Sequence, residues 1–216
     1  IEEMNRELEE ERLSKREEFL TYLSGYLAKH KRVLFEGDGY SKAWREEAKR
    51  RGLPMPSSYA HCIEILREEK TMEMFSSQGV LTPRELHSRA DILYEQYANT
   101  LLTEARTLNT MLIKDVKPAL MKEIERLYSL PKVEIFEKEL EEKITLYVSL
   151  QDIQARLEAS ISTAQRQQDL QRKSLYLANN VRKRMSEARG VADHIESVIA
   201  REFFPYPTYG RMLHGL

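Results

Sequence analysis

The chain has a single cysteine, Cys62, so no disulfide can form within it. A fold of this length without crosslinks has to be held by its apolar core, and such cysteine usage points to a reducing, cytoplasmic compartment. Helix breakers are scarce too. Between Pro131 and Pro205 there is no proline and one glycine, Gly190, so little interrupts helix over that interval. Neither sign of charge is in excess: Lys and Arg number 34 against 35 Asp and Glu, a net charge of -1. No global field therefore draws the chain to nucleic acid or to an acidic membrane surface. There is no apolar run long enough to cross a bilayer. The opening Ile1-Glu2-Glu3-Met4 lacks the basic and apolar stretches of a signal peptide. It also lacks an initiator methionine, which leads the sequence reading to expect a fragment of something longer.

What is present favours long amphipathic helices: 32% of residues are charged and 41% hydrophobic. The expected fold class is all-α, a long-helix bundle with an antiparallel helical hairpin. Short N-terminal helices precede it and an aromatic, proline-containing tail follows it. The clearest local signal is Gly79-Val80-Leu81-Thr82-Pro83-Arg84-Glu85-Leu86. Thr82 is placed to cap a helix, Pro83 suits its first position, and Glu85 can close a capping box. Apolar positions then recur at Ala90, Leu93, Tyr97, Leu101, Ala105, Leu108, Leu112 and Val116. Pro118 is expected to bend this helix without ending it, because Ile124 and Leu127 continue the face. Ser129-Leu130-Pro131 is its expected stop.

Two further stripes follow. Phe136, Leu140, Ile144, Tyr147, Leu150, Ile153, Leu157 and Ile161 form one; Leu177, Val181, Met185, Ala188, Ala192, Ile195 and Ile199 form the other. The polar stretch between them, Gln165 to Lys173, is expected to hold a turn, giving two antiparallel helices that pack on the Pro83 helix. Upstream, a helix over Ile1 to about Leu34 is expected to be exposed in its acidic first half. Its second half, with Phe19, Leu20, Leu23, Tyr26 and Leu27, is expected to dock. Ser41 should cap a short helix that Gly52 ends. Phe203-Phe204-Pro205-Tyr206-Pro207 is too aromatic for a disordered tail and is expected to fold back onto the body. The domain reading divides the chain into 1–53, a linker with short helices over 54–81, and a helical domain over 82–216.

The search for chemistry finds no site. His30, His61, His87, His194 and His214 never fall at metal-ligand spacing. Cys62 has no motif of a nucleophile around it. Gly37-Asp38-Gly39-Tyr40-Ser41-Lys42 lacks the spacing of a phosphate loop and reads as a turn with a helix cap. Arg182-Lys183-Arg184, with Arg172 and Lys173, lies among Asp169 and Glu187 and reads as an ordinary charged helix face. The pair Glu141-Glu142 has no His, Ser or Lys set beside it. Nor do His87, Ser88 and Arg89 read as a catalytic set. No catalytic, cofactor-binding or metal-binding residue is assigned.

Three blocks of sequence carry a resemblance. The first is Lys29-His30-Lys31-Arg32-Val33-Leu34-Phe35-Glu36-Gly37-Asp38-Gly39-Tyr40-Ser41, followed by Trp44 and Glu47-Ala48-Lys49-Arg50-Arg51-Gly52-Leu53. The second runs from Phe75 to Leu108 and includes Gly79-Val80-Leu81, Glu85-Leu86-His87-Ser88-Arg89, Glu95-Gln96-Tyr97 and Glu104-Ala105. The third is Phe204-Pro205-Tyr206-Pro207-Thr208-Tyr209-Gly210. In this order they resemble the C-terminal region of type III glutamine synthetase, the large form of glutamate–ammonia ligase. Residues 133 to about 164 match that family in pattern alone.

The resemblance implies a parent ligase of nitrogen metabolism that joins glutamate and ammonia using ATP and Mg2+ or Mn2+. It places the catalytic and metal-binding residues upstream. Residues 1–53 would be the tail end of the catalytic domain and residues 82–216 the family's helical extension, inactive alone. Homo-oligomerisation in stacked rings is implied, with no nucleic-acid or membrane partner. The alternative, from the long amphipathic helices alone, is a stand-alone helical scaffold or protein-interaction module.

Overall fold

A computed structural model describes residues 16–31, 34–207 and 212–213. The fold is all-α; among the described residues every regular element is a helix. The acidic half of the expected first helix, up to residue 15, and the end of the tail from Thr208 to Arg211 lie outside the described residues. Two compact units, Ile1–Pro56 and Ser57–Leu216, are described in turn.

In the first unit α1 spans Arg16–Lys29 and α2 spans Lys42–Arg50. Phe19, Leu20 and Leu27 of α1, expected to dock, are exposed, while Leu23 and Tyr26 are half-buried. Ala48 is the one buried apolar residue among those described in this unit, so it offers no core for the stripe to enter. Between the helices Asp38 shapes a turn. Its Oδ1 accepts from the Tyr40 amide at 2.9 Å and its carbonyl from the Ser41 hydroxyl at 2.8 Å. Ser41 Oγ in turn accepts from the Trp44 amide and caps α2. Trp44 is covered by Phe35, ring centroids 4.0 Å apart, and by the Arg51 guanidinium at 5.5 Å. Gly52, with φ of 69°, ends α2 in a Schellman motif: its amide bonds Lys49 O and the Leu53 amide bonds Ala48 O.

The second unit begins with α3, Tyr59–Glu64, which tightens into a 3-10 turn at Ile65–Arg67, and α4, Glu69–Ser77. Helix α4 lies within the stretch 54–81 where short helices are expected, and Glu68 precedes it without a side-chain cap. Gly79, φ 64°, closes it in a second Schellman motif through Gly79 N to Ser76 O and Val80 N to Phe75 O. Then α5, Pro83–Met111, starts as expected. Thr82 Oγ1 accepts from the Glu85 amide at 3.3 Å, and Glu85 Oε2 accepts from the Thr82 amide at 2.8 Å.

Helix α5 does not stop before Pro118. It widens into a π turn at Leu112–Val116 and resumes as α6, Lys117–Tyr128. A proline ring clashes with the carbonyl four residues before it; the extra residue of a wide turn relieves that clash. Helix α7 spans Glu134–Arg166 and α8 Leu170–Tyr176; a second π turn at Leu177–Val181 leads into α9, Arg182–Val198. The expected turn falls at residues 167–169, where Asp169 caps α8 by accepting from the Arg172 amide.

Cross-contacts fix the packing. Tyr147 reaches Met121 and Gln154 reaches Asn109, so α7 runs antiparallel to α5–α6. Lys143 reaches Val198 and Ser160 reaches Tyr176, so α8–α9 runs antiparallel to α7. Leu101, Leu112, Leu120, Leu150, Leu157, Leu177, Val181 and Ile195 fill the core between them. Burying each such side chain contributes about 2 kcal/mol. A smaller cluster of Ile63, Ala90 and Tyr94 joins α3 to the other side of α5. Sequence periodicity assigned α5 one buried face; it missed Tyr94, Ala98 and Leu102, which are also buried, because the helix is covered on two sides.

Candidate functional site

The candidates raised by the sequence stay apart. His61 Nδ1 lies 2.7 Å from Ser58 Oγ at the start of α3. His30 stacks against Tyr26 at 4.4 Å, and its Nε2 is buried without a hydrogen-bond partner among the described residues. His87 is exposed on α5, and His194 lies on α9, lining the same surface pocket as Lys143. His214 lies outside the described residues. Cys62 is exposed and free. Among the described residues no three His, Cys, Asp or Glu side chains converge as metal ligands would.

In the basic stretch Arg184 pairs with Glu187 at 2.7 Å, and that hydrogen bond holds the Glu187 carboxyl below its ordinary value. In the Gly37–Lys42 segment the donors and acceptors named above are spent on the turn and the cap.

Polar side chains tie helix to helix. Arg67 donates to Asp91 and, at 3.1 Å, to Gln171 Oε1, and it lies over the Tyr94 ring. Gln171 donates to Glu64, and the buried Ser174 hydroxyl donates to the Tyr94 carbonyl at 2.9 Å. Burial pushes the Tyr94 hydroxyl up to about 12. These contacts clip α3 and α8 onto α5. On α6 the buried Glu123 accepts from Arg126 at 2.9 and 3.2 Å.

The aromatic tail folds back as expected. Phe203, Phe204 and Tyr206 pack against the core, and Tyr206 donates to Asp115 Oδ2 at 2.7 Å. Beneath it lies a cavity of about 210 Å³, lined chiefly by Leu108, Leu112, Val116, Ala192, Phe204 and Met212.

The surface least explained by internal packing lies on α6 and α7. Met121, Ile124 and Tyr128 of α6 line an open groove with Ile144 and Tyr147 of α7. Met121 is 52% exposed, Tyr128 75%, Ile144 45% and, one turn beyond, Val148 59%. The sequence assigned Ile144 to the core stripe and passed over Met121 and Tyr128. The missed signal was the spacing of Met121, Ile124 and Tyr128, which places them on one face of α6. Lys117 and Glu125 frame Met121 one turn to either side, Lys117 Nζ lying 5.4 Å from the Tyr147 ring centroid.

Comparison with known proteins agrees with the resemblance. A family model described as the glutamine synthetase C-terminal domain matches residues 18–133. A glutamine synthetase of Butyrivibrio fibrisolvens is 32% identical over 200 residues, covering 88% of this chain and 29% of that protein. A type-3 glutamine synthetase of Dictyostelium discoideum is 29% identical over 93% of this chain and 29% of its own length. For a glutamine synthetase of Bacteroides fragilis the figures are 25%, 95% and 30%. The chain thus spans about three tenths of the length of these curated relatives.

Proposed function

This chain belongs to the glutamine synthetase C-terminal domain family, and from that premise we propose that it is the helical, assembly-bearing part of a type III glutamate–ammonia ligase. The observation that carries this reading is the family match over 18–133, in a chain whose polar side chains serve caps and helix-to-helix ties. The whole enzyme makes glutamine from glutamate, ammonia and ATP with a divalent metal, in a cytoplasmic homo-oligomer. Residues 1–53 close its catalytic domain, 54–81 link, and 82–216 form the helical extension. Among the described side chains no carboxylate or histidine cluster converges as ligands of that metal would. The residues that hold those groups belong to the remainder of the enzyme, and this chain alone does not turn over.

Two measurements test the reading. The purified chain, given glutamate, ammonia, ATP and Mg2+, should form no glutamine; turnover free of contaminating full-length enzyme overturns the assignment of chemistry elsewhere. In a full-length glutamine synthetase that contains this region, deletion of the part equivalent to residues 57–216 should abolish ring assembly while the catalytic region stays folded. Intact rings after deletion overturn the assembly role. The exposed apolar groove on α6 and α7 also suits an independent interaction module. That second reading requires a discrete foreign partner and no effect of the deletion on assembly.

A further inference from the structure

The exposed face of α6 and α7 matches in size the largest apolar patch of an ordinary monomer, the kind that is often functional. Met121, Tyr128, Ile144 and Val148, with the open edges of Ile124 and Tyr147, present an apolar area on the order of 500 Å², in the range where such patches mark interaction sites. Two of the side chains are flexible or aromatic anchors, the types enriched where proteins meet. The face carries one charge of each sign at symmetric positions. Lys117 lies four residues before Met121 and Glu125 four residues after it, all on α6.

We propose that this face pairs with the same face of a second copy of this chain, the two α6 helices crossing antiparallel about a two-fold axis at Met121. The inference rests on the assembly role proposed above and names its surface. In an isologous contact, whatever lies a given distance to one side of the axis meets what lies the same distance to the other. Antiparallel α6 helices centred on Met121 therefore set Lys117 against Glu125 of the second copy, and Glu125 against its Lys117. Each pair sits ~6 Å along the helix from the axis, four residues of helical rise. Met121 meets its own counterpart at the centre, and Tyr128, Ile144 and Val148 close around it.

Parallel pairing would set Lys117 against Lys117 and Glu125 against Glu125, and off-centre antiparallel pairing would lose the match, which selects the register. The paired surface is about 1,000 Å² in total, at the small end of specific interfaces, so the contact is reversible and depends on concentration. That strength suits a contact repeated around an assembly, where each copy reinforces the rest.

Sedimentation velocity on the purified chain over a range of concentrations tests it, with circular dichroism to check that each variant keeps its helices. The unaltered chain should shift from monomer to dimer as concentration rises. K117E and E125K should each weaken the dimer at least roughly tenfold, because each sets like charges against each other twice. The double variant K117E/E125K should restore it. A dimer indifferent to these substitutions overturns the face while leaving the assembly role standing. Failure of the double variant to restore pairing overturns the register. A chain that stays monomeric at every concentration overturns the self-pairing, and the deletion test above then decides the assembly role by itself. If K117E unfolds the chain, E125K carries the same test from an exposed residue of α6.

Discussion

Tyr206 donates its hydroxyl hydrogen to Asp115, so the aromatic tail is tied to the π turn that precedes Pro118. Two departures from regular helix thus meet at one point, and the tail closes the cavity between α5 and α9. Burial, and the acceptor role of Asp115, hold the Tyr206 hydroxyl well above the ordinary tyrosine range. The neutral phenol is the form the fold stabilises. Its contribution is complete below the ordinary tyrosine pKa of about 10 and is lost as pH rises through the higher folded value. Tyr206→Phe should cost about 1 kcal/mol and speed proteolysis of the tail at neutral pH. In the unaltered chain the same sensitivity should appear only in strong alkali. Tyrosinate absorbance and limited proteolysis, read together, check both.

The start of α5 is a reciprocal cap, and its parts can be removed one at a time. Thr82→Ala deletes the acceptor for the Glu85 amide and should cost about 1 kcal/mol in chemical denaturation. The bonds from Thr82 hold the Glu85 carboxyl below its ordinary value, with the backbone amide first among them. Glu85 therefore supports the cap above the ordinary glutamate pKa, and that support disappears as pH falls through the lowered folded value. Thr82→Ala should raise the Glu85 titration midpoint, measured by side-chain carboxyl NMR.

Local chemistry was legible in the sequence where it is written in adjacent residues. The Thr82–Glu85 cap, the Ser41 cap, the glycine stop at Gly52 and the turn before α8 all stand where turn and capping residues marked them. The bend expected at Pro118 is there, but its form was not legible. A proline within a helix can be met by a kink or by a wide turn, and the residues from Leu112 to Val116 do not say which. Periodicity named one stripe per helix and so missed the second buried side of α5 at Tyr94 and Ala98. It also could not tell where a stripe leaves the core. Ile144 and Leu157 have equal standing in the sequence, yet one is exposed and the other buried, because Ile144 lies on the open groove between α6 and α7 and Leu157 in the core between the helices. The α1 stripe failed for a related reason: Phe19 and Leu27 have the spacing of a core face in a unit whose described residues include one buried apolar side chain, Ala48.

That pair of residues makes a direct test of the packing. Leu157→Ala removes a fully buried side chain from the centre of the bundle and should cost about 3 kcal/mol, since the surrounding helices cannot collapse into the space. Ile144→Ala trims an exposed side chain of the same stripe and should change stability by less than about 0.5 kcal/mol. Urea unfolding of the two variants decides whether the stripe leaves the core between them. Equal losses would mean that Ile144 is covered within the monomer.

Lys143 is buried on α7, and its ammonium donates to the Val198 carbonyl at 2.5 Å, at the last turn of α9. A helix leaves its final carbonyls unpaired and concentrates partial negative charge there, so a buried cation at this point satisfies both needs. The ammonium is desolvated, and the carbonyl contact is what offsets that cost. Lys143→Met keeps the length of the stem but removes the donor. The variant should lose about 1–2 kcal/mol, since the Val198 carbonyl is left without its partner while the unfavourable burial of charge is relieved. The loss should be local. Hydrogen exchange should quicken at the end of α9 and in the tail anchored beyond it, with α5 unchanged. Uniform acceleration across the bundle would mean that Lys143 stabilises the fold by filling space and that its bond to Val198 contributes nothing.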